Sequence, residues 1–91
     1  MTHRVKSRTE TRIVRIPGIC GGEPTVKGTR IPVRIVVVAY QMSGGAVSEV
    51  LEAYPSLDRS AVDEALAFYA ANQQEIDLLI DENERAAYQT E

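Results

Sequence analysis

All six glycines and all four prolines of this 91-residue sequence lie before Asp58, and none occurs from Asp58 to Glu91. Glycine frees the backbone and proline restricts it, so the front of the chain must turn repeatedly while the closing third meets no intrinsic obstacle to helix. The side-chain spacing agrees. Val62, Leu66, Tyr69, Gln73, Ile76 and Ile80 recur at three- and four-residue intervals, one face of a helix, and Asp58 is a natural N-cap. One uninterrupted helix from Asp58 to Glu91 is predicted. A chain of this length holds a single hydrophobic core. With no Trp and one Phe, that core is built of Val, Ile, Leu and Ala. Its stability should be modest, and assembly as a homodimer would add to it.

Ahead of that helix the pattern changes several times. Residues 1–12 are polar, with Arg4, Lys6 and Arg8 at every second position, so an extended arm would carry them on one face. Such an arm either lies along phosphates or is a solvated terminus. Ile13–Ile16 is short and β-branched and is closed by Pro17-Gly18, which predicts a brief strand. Cys20-Gly21-Gly22-Glu23-Pro24 redirects the chain, and Thr25-Val26 with Thr29–Ile31 predicts a small hairpin turning at Lys27-Gly28. From Val33 to Ser43 the β-branched run Ile35–Val38 locally favours strand. Pro32 before it, Gly44-Gly45 after it and its length favour helix. Val47, Val50, Leu51 and Tyr54 then mark a short amphipathic helix that Pro55 ends.

Charge is divided along the chain. Through Arg34 there are eight cations against two acids, +6; from Ile35 onward there are two cations against eleven acids, −9. This predicts a basic surface suited to nucleic acid and an acidic one suited to a basic protein, or the two complementing each other within a dimer. Nothing indicates catalysis. His3 lies in the arm, Cys20 has no His or acid close by in sequence, and one cysteine supports neither a disulfide framework nor a multi-cysteine metal site. Gly22–Thr29 has Lys27 and Gly28 transposed relative to a phosphate-binding loop, so no nucleotide cofactor is expected. Glu75, Asp77, Asp81, Glu82 and Glu84 surround a helix without calcium-loop spacing. No apolar run approaches the roughly 20 residues of a membrane span, and a cytoplasmic location is expected.

Helix Val47–Tyr54, a three-residue connection and a helix opening at Asp58 have the spacing of a helix-turn-helix, which any packed pair of short helices also has. The exposed start of the second helix would offer Arg59 to a base edge or phosphate, but Asp63 and Glu64 beside it would repel phosphates. Any DNA affinity should therefore come mostly from Arg4, Lys6, Arg8, Arg12, Lys27, Arg30 and Arg34. Farther along, Ile76, Leu79 and Ile80 form an apolar stripe flanked by acids. The short core helices look unable to reach it, so it is expected to make an intermolecular contact, with a second copy or with a different protein.

The stretch Gly21-Gly22-Glu23-Pro24-Thr25-Val26-Lys27-Gly28-Thr29-Arg30-Ile31-Pro32-Val33, followed by the helix pair and Tyr54-Pro55, resembles the bacterial domain-of-unknown-function family numbered four hundred and thirty-three. The likeness runs over about Ile13 to Ala71. It implies a homeodomain-like helical fold and an antitoxin role beside PIN-like ribonuclease toxins. Gly44-Gly45-Ala46 departs from the Ser-Pro-Glu of many relatives, which weakens the cap of the next helix. With the resemblance, the chain is expected to be mainly α: a short N-terminal strand and hairpin, then a three-helix, helix-turn-helix-like core whose last helix is long. Residues 1–12 form the arm and 13–91 the single domain. The expected function is that of a non-enzymatic antitoxin that binds a PIN-like toxin and operator DNA; a protein-interaction module that never touches DNA is the alternative.

Overall fold

The computed structural model describes residues 12–89. Strands β1 (Ile13–Val14) and β2 (Thr25–Val26) pair antiparallel, Ile13 opposite Val26 and Val14 opposite Thr25. A short 3-10 turn, Cys20–Gly22, joins them. Four helices follow: α1 (Val33–Met42), α2 (Val47–Ala53), α3 (Arg59–Ala71) and α4 (Gln73–Gln89). The mainly helical fold with a small N-terminal β element is as expected.

The β element differs in its partners. The turn at Lys27-Gly28 forms, with Gly28 at φ +82°, and the Thr29 and Val26 amides donate to the Val26 and Ile31 carbonyls. Beyond it only Thr25 bridges Pro32, because Pro32 has no N–H with which to extend a ladder. The other edge of β2 pairs with β1. Pro32 also stands one position ahead of α1, as its N-cap.

Helix α1 overrides the strand preference of its β-branched run because the helix serves the core better. Val33, Val36 and Val37 fall at i, i+3 and i+4 and are wholly buried. Burying each is worth about 1.5–3 kcal/mol, against a helix-propensity penalty below about 0.7 kcal/mol per residue. At its end the Gly45 amide reaches the Tyr40 carbonyl and the Gly44 amide the Gln41 carbonyl, a Schellman stop with Gly44 at φ +73°. Helix α2 has no side-chain cap, as the departure at Gly44–Ala46 predicts. Helix α3 has the predicted one: Asp58 accepts from the Ala61 amide at 2.9 Å.

The single helix predicted from Asp58 onward is two helices broken at Asn72, which sits at φ −135°, ψ 42°. Its amide donates to the Phe68 and Tyr69 carbonyls, its side-chain Nδ2 to the Phe68 carbonyl at 3.0 Å, and its own carbonyl accepts from Ile76. A short amide side chain that bonds its own backbone can stop one helix and open the next without glycine or proline. The bend packs α4 against both α1 and α3. Ile76 thereby joins the core with Val50, Leu57, Ala61, Val62 and Ala65.

Candidate interaction surfaces

Ile76 is completely buried, and Leu79 and Ile80 are half-buried against the same core. The expected docking stripe is thus largely inside the molecule. The bend at Asn72, invisible to periodicity, brings α4 onto α1, so the reach of the core helices was underestimated. Among the described side chains of α4, Leu78 is an exposed large apolar one.

The basic front and acidic back meet within this chain. Arg12 donates to Asp58 at 2.8 Å, and its amide donates to Glu64 at 3.0 Å. Arg15 makes a two-pronged bond to Glu75, one arm at 3.0 Å, and lies 5.6 Å from the centre of the Phe68 ring. Arg34 donates through Nε to both oxygens of Glu23 at 3.0 and 3.2 Å. These pairs fasten β1 to α3 and α4, and α1 to the loop before β2. Of the cations expected to contact phosphate, Arg12 and Arg34 each face a carboxylate of the same chain. The Ala61 amide and then Arg12 hold the Asp58 carboxyl below its usual value, and Arg15 does the same to Glu75. Across the Asn72 bend, Tyr69 donates to Asp77 at 2.7 Å, which raises the phenol pKa.

Of the other cations named for DNA, Lys27, Arg30 and Arg59 are exposed and form no ion pair among the described residues. Arg4, Lys6 and Arg8 lie outside those residues. Lys27 and Arg30 share the tip of the β turn, whereas Arg59 stands apart at the start of α3, beside exposed Asp63. Cys20 is half-buried, with φ +53° and its thiol donating to the Arg30 carbonyl at 3.3 Å. It braces the turn that presents Arg30.

Several concave regions mark the described surface. An open cleft of about 640 Å³ lies under the turn, lined by Val14, Ile16, Ile19, Ile31, Thr29 and Arg30 among others. Two shallower grooves flank the outer side of α1. One, of about 310 Å³, runs between α1 and α2; the other, of about 210 Å³, lies between α1 and α4. Ile35 and Val38 line both. Sequence reasoning missed this face, although four consecutive apolar residues on a helix must point in several directions. Among the described residues, no three His, Cys, Asp or Glu side chains gather as a metal site, and no helix is long and apolar enough to cross a membrane.

The turn, α1 and the α2–α3 pair coincide with the sequence profile of DUF433, a family described as protein of unknown function, which matches residues 13–69. The chain belongs to this family. A solved DUF433 member from Anabaena variabilis superposes with a TM-score of 0.70 at 33% identity, covering 86% of this chain and 76% of that one. An uncharacterized protein of Sinorhizobium fredii, y4eO, is 45% identical over 56 residues. That match takes in 62% of this chain but 25% of the relative, so this DUF433 chain corresponds to a quarter of the longer protein.

Proposed function

We propose that this DUF433 chain is a protein-binding module of the antitoxin kind, which neutralises a PIN-like ribonuclease by occupying its basic, nucleic-acid-binding groove. One observation carries the reading: the front cations Arg12, Arg15 and Arg34 are engaged by carboxylates of the same chain, while exposed acids remain on α3 and, above all, on α4. Exposed Asp63 on α3, and Asp77, Asp81, Glu82 and Glu84 on α4, form that face, and Arg85 is already paired with Asp81 at 3.0 Å. Such a surface repels nucleic acid and attracts the proteins that bind nucleic acid. Inhibition is then competitive, with carboxylates standing in the place of phosphates.

The test is co-expression with a PIN-like ribonuclease, the product of the adjacent gene being the first candidate, followed by purification and an RNA-cleavage assay. A complex with suppressed cleavage is expected. Charge reversal at Glu82 and Glu84 should weaken inhibition at least tenfold, most at low salt. Absence of a complex, or inhibition indifferent to those reversals, refutes the reading.

A second reading, operator binding, is favoured by Lys27 and Arg30 at the exposed turn. It expects DNA affinity that falls steeply with salt, and a slope reduced by about one for each phosphate contact removed in Lys27→Gln and Arg30→Gln. Affinity that is absent or independent of salt rejects it.

A further inference from the structure

We propose that the outer face of α1 is the docking site for an amphipathic helix of the partner, one that carries lysines or arginines on both sides of its apolar stripe. This rests on the protein-binding reading above and deepens it by naming the surface and the chemistry of the segment that fills it.

Helix α1 carries apolar residues on two sides. Val33, Val36 and Val37 face the core, while Ile35, Val38, Ala39 and Met42 line the flanking grooves. Ile35, Val38 and Met42 follow one another at i, i+3 and i+7, the spacing of a helix seam. Met42 is 81% exposed, an unusual degree for a large apolar side chain in so continuous a stripe. A soluble helix with apolar residues on opposite sides is expected to be covered on both. The ten residues of α1 extend about 15 Å, enough to seat roughly three turns of a second helix.

Charge selects the occupant. Glu49 of α2 stands on the outer wall of one groove and Glu84 of α4 on the outer wall of the other, and both are exposed. The one cation on either wall is Arg34, which Glu23 already holds. A helix laid along the ridge would have a carboxylate on each side, so cations on both flanks meet complementary charge. A second copy of this chain would bring the same two carboxylates and the same engaged arginine to the contact, setting like charges together. Residues 1–11 are basic but offer only Met1 and Val5 to an apolar floor. The grooves therefore fit a basic amphipathic helix of another protein.

The probe is a fluorescein-labelled synthetic peptide of about four turns with leucines at i, i+3, i+4 and i+7 flanked by lysines, titrated by anisotropy into the full chain. A control peptide has glutamates in place of the lysines. Saturable binding of the lysine peptide is expected, at least tenfold tighter than the control. Met42→Asp, at a side chain too exposed to carry the fold, should weaken it at least tenfold. The double variant Glu49→Lys/Glu84→Lys should reverse the preference between peptides. Circular dichroism and thermal melting establish that each variant is folded. Equal affinity for both peptides, no binding, or indifference to Met42→Asp overturns the proposal. So does sedimentation showing a wild-type dimer that Met42→Asp dissociates, which would make the occupant a second copy. Because no ribonuclease enters this titration, its failure is separable from a failure of the co-expression test.

Discussion

Ile76→Ala distinguishes a buried anchor from a docking residue. The side chain is wholly inside the core. Truncation removes three carbons, about 2.4 kcal/mol at roughly 0.8 kcal/mol per buried methylene, and the cavity left behind brings the loss to about 2–5 kcal/mol. For a domain whose whole stability is on the order of 5–15 kcal/mol, that is a large share. The reference is Leu78→Ala on the same helix. Leu78 is 56% exposed, so its loss should stay within about 0.5 kcal/mol. Urea denaturation followed by circular dichroism reads the difference. With a slope of about 1–3 kcal/mol per molar urea, Ile76→Ala should move the midpoint down by about 1 M or more, while Leu78→Ala leaves it nearly in place. Equal midpoints for the two variants would refute the placement of α4 against α1 and restore the stripe to the surface.

The bend and the charge pairs lead to further outcomes. Asn72→Ala removes the bond from Nδ2 to the Phe68 carbonyl, worth about 1 kcal/mol, which the better helix preference of alanine offsets in part. A net loss of about 0.5 kcal/mol in the same urea assay is expected; a gain would mean that Asn72 is not what stops α3. Asp58 and Glu75 have folded pKa values below their ordinary 3.8 and 4.5, so the unfolded chain takes up their protons first. Their contribution is complete above those ordinary values and disappears as pH falls through the folded ones. Wild type should lose stability as the pH drops below about 4.5, and Asp58→Asn/Glu75→Gln should show a shallower decline; parallel declines would exclude these two carboxyls as the cause. A double-mutant cycle with Arg15→Met and Glu75→Gln should give a coupling of up to about 1 kcal/mol that shrinks in high salt, and zero coupling at low salt would dismiss the pair as a fastener.

Local signals were read correctly wherever a short-range bond decides the outcome. Asp58 caps α3 because its carboxylate reaches an amide three residues on, a distance set within one turn of chain. Gly44 and Gly45 stop α1 because they accept positive φ, and Val47, Val50 and Leu51 mark α2 by their period. The break at Asn72 escaped because asparagine is compatible with helix interiors as well as with caps. Only the carbonyl arrangement of the folded turn selects the second.

Charge and hydrophobicity mislead in a similar way, since a sequence lists how many groups there are but not which ones meet. The division into a basic front and an acidic back was plain in residue order, and so was the apolar stripe through Ile76. Tertiary packing decided that Arg12 and Arg15 reach Asp58 and Glu75, across separations of 46 and 60 residues. It decided equally that Ile76 is core, that Ile35 and Val38 are half-buried and that Met42 is exposed. Helix boundaries depend on bonds spanning a few residues, which composition and spacing encode. Pairing of charges and the choice of which apolar face is covered depend on how the helices return upon one another, and here that return hinges on the backbone of Asn72.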